Sequence, residues 1–221
     1  MKIPCGNNII EAISALCQRD IVVIPAETNY LYACNALDAE AVGRIREINA
    51  DYQVQPLELL VPYFEHVSRY VKEVPVFLTQ LAERFSPGPI SYLLPRNHMI
   101  SDMVSGGLDR IAVRVPAHPL ALSLLQKLHF PLGVIPVPKY AGMSVTASRV
   151  SDGLPGNPSY VLDGGATAVG PGPSLVGYQS GKMILYRKGA VTADTIGKVT
   201  GLPVVQHIVP MLEKTTRKKA R

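Results

Sequence analysis

The patterning of this 221-residue chain predicts an α/β fold, a single domain on a twisted sheet of mixed parallel and antiparallel strands flanked by helices. Three observations carry that expectation. Short apolar runs of strand length alternate with stretches whose apolar residues recur at helical spacing, the pattern of helices laid on a sheet. No internal repeat interrupts the chain, and no linker is long or polar enough to divide it. A chain of this length also buries most of the surface that its unfolded form exposes, so one core suffices without disulfides. The domain is expected over residues 1–205, followed by a basic tail over residues 206–221.

The elements follow in order. Residues 9–18 read as an amphipathic helix and Ile21 to Pro25 as a buried strand. Asp38 is placed to cap a helix that aligns Ala41, Val42, Ile45 and Ile48 on one face. Leu57 to Val61 reads as a strand, and Pro75 suits the first turn of a helix turning Leu78, Leu81, Ala82 and Phe85 inward. Ser86-Pro-Gly-Pro89 stops that helix. Ile90 to Leu94 and Arg110 to Val115 read as strands, Pro119 to Leu128 as a helix, and Leu132 to Val137 as a further strand. Beyond Ser151, Gly and Pro become dense; short strands are expected at Tyr160 to Leu162, Leu175 to Tyr178 and Met183 to Arg187, with a closing helix after Thr192.

Composition narrows the function classes. An apolar fraction of 47% with 18% charged residues belongs to a globular chain, and no apolar run reaches the ~18 residues of a membrane span. With no apolar signal core near Met1, a soluble cytoplasmic protein is expected. Cys5, Cys17 and Cys34 are too far apart for a CxxC site, and the five histidines show no metal-binding pairing, so no metal site is expected. Gly170 to Lys182 lacks the spacing of a phosphate loop. The net charge of +5 has a local origin. Lys214, Arg217, Lys218, Lys219 and Arg221 account for all of it, leaving basic and acidic residues equal at 17 elsewhere. Such a tail is weak evidence for nucleic-acid binding, because phosphate affinity needs cations spread along a contact surface.

The segment Ile21-Val-Val-Ile-Pro-Ala-Glu-Thr-Asn-Tyr-Leu-Tyr32 carries more. It resembles the strand and Pro-Thr-Glu-Thr-Val-Tyr-Gly-Leu motif of the YrdC/YciO family, the threonylcarbamoyl-AMP synthases. Pro25, Glu27, Thr28 and Tyr30 are kept, while Ala26, Asn29, Leu31 and Tyr32 replace the remaining letters. Further landmarks follow collinearly over roughly residues 8–200: Asn35-Ala-Leu-Asp38, Pro56-Leu57, Pro87-Gly-Pro89, Arg114-Val-Pro116, His118-Pro-Leu-Ala121, Asp163-Gly-Gly165 and Tyr186-Arg-Lys-Gly189. The resemblance implies a YrdC-like domain. It also implies condensation of threonine, bicarbonate and ATP, with Mg²⁺, into threonylcarbamoyl-AMP for tRNA modification. Carried over by position, Thr28 and Tyr30 would orient substrate, Arg114 and Arg187 would contact nucleotide, and Ser144 and Thr146 would close the cleft with hydroxyls. No catalytic residue is assigned, because such chemistry rests on binding and orientation.

Three departures fall on ligand-facing motifs. Where the family has Lys-x-Arg, this chain has Asn49-Ala-Asp51-Tyr52. A charge pair at ~4 Å is worth about 4 kcal/mol at an effective dielectric near 20, so exchanging cations for an amide and a carboxylate weakens triphosphate binding. The family's Ser-x-Asn is replaced by Pro136-Val137-Pro138, which removes two side-chain donors and two backbone N–H groups. A Glu-Ser-Thr is replaced by Gly172-Pro173-Ser174, of which Ser174 alone keeps a hydroxyl. Tyr32, Tyr52, Tyr92 and Tyr140 are expected to offer aromatic surface with hydroxyl handles to a less charged ligand.

The expected function is therefore a YrdC-like small-molecule-binding protein with an altered nucleotide pocket and little or no parent activity. One alternative is an active threonylcarbamoyl-AMP synthase in which Arg114, Arg187, Lys139 and Mg²⁺ supply the missing positive charge. A second is an RNA-interaction protein that uses the basic tail. The residues alone imply no cofactor, and the partner expected is a small-molecule ligand; ATP, Mg²⁺ and a place in tRNA modification come by resemblance.

Overall fold

The computed structural model describes residues 3–48, 56–137, 144–152, 154–168 and 170–207. After β1 (Cys5–Gly6), the Asn8 side chain accepts a hydrogen bond from the Ile10 N–H and starts α1 (Ile9–Cys17), which buries Ala12, Ala15 and Leu16. β2 (Val22–Pro25) turns tightly into β3 (Tyr30–Asn35), the turn closed by the Ala26 N–H on the Asn29 carbonyl at 2.8 Å. Asp38 Oδ1 accepts from the Ala41 N–H at the start of α2 (Ala39–Ile48), the cap read from sequence.

β4 (Glu58–Leu60), a 3-10 helix at Phe64–Arg69 and α3 (Val76–Phe85) follow. Next come β5 (Ile90–Pro95), α4 (Asp102–Ser105) and β6 (Arg110–Arg114). α5 (Pro119–Lys127) opens on a proline in its first turn, where the missing N–H costs nothing, and leads to β7 (Leu132–Pro136) and α6 (Ala147–Val150). The chain continues through β8 (Tyr160–Leu162), β9 (Ser174–Gln179), β10 (Lys182–Arg187), α7 (Ala193–Thr200) and β11 (Val204–Gln206).

Among the described residues, eleven strands form one sheet in the order β1-β8-β2-β3-β7-β4-β6-β5-β9-β10-β11. Pairing is parallel for β1/β8, β2/β8, β4/β6, β5/β9 and β10/β11 and antiparallel for the other neighbours, so the sheet is mixed as expected. Strand alternation sends two apolar sets to opposite faces. Val22, Ile24, Leu31, Ala33, Leu60, Leu132 and Val134 pack beneath α1 and α5. Val23, Tyr32, Cys34, Leu59, Tyr92, Val113 and Val176 pack with Ile45, Leu78, Leu81 and Ile196 of α2, α3 and α7.

Two readings need correction. No strand was read between Pro25 and Asp38, yet Tyr30 begins β3, hidden from pattern reading because Tyr30 through Cys34 are all buried and show no apolar–polar alternation. The aromatic pocket surface expected from Tyr32 and Tyr92 is also absent, since both rings are fully buried in the core. The Tyr32 hydroxyl donates to the Pro155 carbonyl at 3.2 Å, and the Tyr92 hydroxyl lies 3.0 Å from Ser86 Oγ. β1, β11, α4, α6 and the 3-10 helix were not anticipated, being too short to establish a period.

Candidate functional site

Among the described residues, the helical cover on one face of the sheet ends part-way across. α1 packs on β8, β2 and β3, and α5 on β2, whereas β9 and β10 meet α3 and α7 on the opposite face. On the face of α1 and α5, the register continues beyond the covered part. Glu58 lies opposite Val134 on one side and Ala112 on the other, and Ala112 lies opposite Leu93. At the next level Leu60 lies opposite Arg114, and Ser91 opposite Leu175, which in turn lies opposite Arg187 across a bulge. Glu58, Leu93, Ala112 and Arg187 are only half-buried, so this part of the sheet forms an open floor.

A charged cluster sits on that floor. Arg114, 2% exposed, places Nη1 2.8 Å from Glu27 Oε2 and Nε 3.2 Å from Glu58 Oε2. The turn between β2 and β3 delivers Glu27, whose Oε1 accepts the Ala117 N–H at 2.6 Å. Glu58, the first residue of β4, accepts a hydrogen bond from Ser91 Oγ through its other oxygen. Burial works against each charge, yet the opposite charges outweigh it. The Glu58 carboxyl is held below its usual range by Arg114, Arg187 and the hydroxyl of Ser91, and the Arg114 guanidinium is held above its own by Glu58 and Glu27. The trio thus has two carboxylates for one guanidinium.

Arg187 adds the second cation on this floor. Its Nε donates to the Pro173 carbonyl at 3.0 Å. The Gly172 carbonyl accepts the Ala190 N–H at 3.0 Å, and a Cβ on Gly189 would lie 2.3 Å from that same oxygen, so only glycine fits there. The Ser174 hydroxyl is turned into the fold: it donates to the Val191 carbonyl at 2.7 Å and accepts the Val191 N–H at 3.0 Å.

The remaining positions divide between site and scaffold. Thr28 and Asn29 are half-buried in the turn, with Ala26 and Leu31 buried on either side. The Tyr30 hydroxyl donates to the Gly165 carbonyl at 2.7 Å and accepts the Gly164 N–H at 3.2 Å, bracing the Asp163-Gly-Gly165 turn. Burial pushes that phenol up to about 12. Ser144 Oγ donates to the Thr167 carbonyl at 2.6 Å, and the Ala168 N–H donates to the Glu27 carbonyl at 3.0 Å, which ties this strip to the Glu27 turn. Thr146 precedes α6, with its hydroxyl 3.2 Å from Ser148 Oγ. Pro136 is exposed at the end of β7, and the Val137 N–H is already used by the Tyr30 carbonyl at 3.0 Å. Neither residue offers a ligand a main-chain donor. Asn49, Asp51, Tyr52, Pro138, Lys139 and Tyr140, together with residues 208–221, lie outside the described residues.

The Sua5/YciO/YrdC family model, described as Telomere recombination, matches residues 14–189. The chain belongs to the Sua5/YciO/YrdC family. It is 33% identical over 82% of its length to the threonylcarbamoyl-AMP synthase of Pyrococcus abyssi and 29% identical over 87% to that of Bacillus subtilis. It spans about half of those relatives, 54% and 56% of their respective lengths. The structure of P. abyssi Sua5 complexed with L-threonine superposes with a TM-score of 0.81 at 30% identity, covering 92% of this chain and 62% of that one. Escherichia coli YciO, at 18% identity and a TM-score of 0.75, shares the fold, covering 88% of this chain and 97% of its own.

Within this YrdC-like fold, Glu27, Glu58 and Ser91 join the residues singled out from sequence. Their signal was available. Glu58 is the lone acid inside the apolar strand run Leu57 to Val61, and a charge in a buried strand requires a partner. Among the described residues no group of three or more His, Cys, Asp or Glu is placed to hold a metal ion, and no helix is long and apolar enough to cross a membrane. A separate cleft of about 400 Å³, lined by Pro62, Phe64, Glu65, Ala82, Glu83 and Val115, shares no lining residue with the Arg114 cluster.

Proposed function

We propose that this Sua5/YciO/YrdC family member binds a small molecule on the open floor of its sheet, through a nucleotide pocket altered so that threonylcarbamoyl-AMP synthase activity is lost or weak. One observation carries the reading: besides Glu27, one of the retained family residues, the buried Arg114 of the floor is held by a second carboxylate, Glu58. A guanidinium engaged on two edges by carboxylates has little attraction left for a triphosphate. The same carboxylates are taken by Arg114, Ser91 and the Ala117 N–H, so they do not make a donor set for Mg²⁺. The altered Asn49, Asp51 and Tyr52, the exposed Pro136 and the inward-turned Ser174 point the same way.

The ligand binds by the remaining polar groups, with Thr28, Ser144 and Thr146 at the rim and Arg187 on the floor. Incubation with ATP, threonine, bicarbonate and Mg²⁺ is expected to release little pyrophosphate, and ATP is expected to raise the melting temperature only slightly. Robust turnover would reject the reading. It would favour an active threonylcarbamoyl-AMP synthase, the activity named for the Pyrococcus and Bacillus relatives, serving tRNA modification with Arg114, Arg187, Lys139 and Mg²⁺ supplying the positive charge.

A further inference from the structure

We propose that Glu58 sets the charge of the ligand: it excludes polyanions from the open floor and restricts it to molecules without net negative charge. The inference rests on the small-molecule reading above and assigns its ligand class. Glu27 alone neutralises Arg114, through Nη1, and its position is fixed independently by the Ala117 N–H. Glu58 is thus a second carboxylate on a cation that already has one. It projects from β4 between Val134 and Ala112 on the uncovered face, with its side chain 18% exposed. Its carboxyl, held below the ordinary range once Arg114, Arg187 and Ser91 have outweighed burial, is ionised at neutral pH.

The balance of charge follows directly. Glu27, Glu58, Arg114 and Arg187 are two carboxylates against two guanidiniums, and the floor is neutral. Without Glu58 the same floor carries one net positive charge. On a partly buried surface, one unit charge changes the affinity of a polyanion by about tenfold. A merely structural Glu58, orienting Arg114 and Ser91, makes a different prediction: its replacement alters stability and leaves polyanion affinity where it was.

The test is calorimetric titration of the full chain with inorganic tripolyphosphate and ATP, without metal, at two salt concentrations. Adenosine is the uncharged control. Glu58→Gln keeps an acceptor for Ser91 and is expected to bind tripolyphosphate about tenfold more tightly, with a steeper salt dependence and unchanged adenosine affinity. Ala112→Lys places a cation beside Glu58 on the neighbouring strand without removing any of its contacts, and the same gain is expected. Folded Glu58→Gln or Ala112→Lys protein that binds tripolyphosphate within about twofold of the unaltered protein overturns the role of Glu58. Tight ATP binding and turnover by the unaltered protein overturn the pocket reading instead, so the two failures are distinguishable.

Discussion

The two parts of one sheet face, built from the same alternation of strand side chains, end in opposite chemistry. From β8 to β7 the face presents Val22, Ile24, Leu31 and Leu132 to α1 and α5 and is closed. Beyond Leu60 of β4, the last strand residue of that apolar cluster in sheet order, the face presents Glu58, Arg114, Ser91 and Arg187 and lacks that helical cover among the described residues. Where a helix covers a strand, apolar side chains are stabilised by roughly 25 cal/mol per Å² removed from water. Where the cover stops, Glu58 and Arg187 keep partial solvation, and the buried Arg114 is neutralised by the carboxylates beside it. The site is thus a consequence of where the helical layer ends.

Breaking the charged part should have the largest effect. Arg114→Met leaves Glu27 and Glu58 facing each other with no cation between them, and a loss of about 3–5 kcal/mol is expected in urea unfolding. An unchanged midpoint would mean that the cluster behaves like an exposed ion pair. The comparison sharpens with a matched pair of truncations. Leu124→Ala in the covering helix α5 should cost about 2–5 kcal/mol, while Leu93→Ala on the open floor should cost less than half of that. Equal costs would reveal cover over both parts.

Smaller effects test the supports of the site. Tyr30→Phe removes a donor from the Gly165 carbonyl and an acceptor from the Gly164 N–H, for an expected loss of about 1–3 kcal/mol and faster hydrogen exchange at Gly164. Exchange unaffected by the substitution would show that the turn holds without Tyr30. The smallest signal is a pH slope. Glu58 has a folded-state pKa below its unfolded value near 4.5, so its stabilising contribution is complete above that value and is lost as pH falls through the lowered one. Glu58→Gln should flatten the acid limb of stability against pH; an identical limb in both proteins would assign the slope to other carboxylates.

Much of this was legible residue by residue. Asp38 as a cap, Pro75 before α3 and the apolar spacing of Leu78, Leu81 and Ala82 are local signals, and the elements they predict are present. β3 was missed because burial on both faces erases period two. Tyr30, Tyr32 and Ser174 were read as facing a ligand, yet their hydroxyls are bonded to Gly165, Pro155 and Val191. Those partners lie 135, 123 and 17 positions away, too far along the chain for spacing to indicate them.

By itself the sequence determined the alternation of helices and strands and the order of the family motifs, because periodicity, capping and motif order are properties of neighbouring positions. Only the tertiary structure decided that Glu27 and Glu58 both meet Arg114, across 87 and 56 positions of chain. Electrostatic pairing depends on distance in space, and that distance is set when β2, β4 and β6 take their places in one sheet.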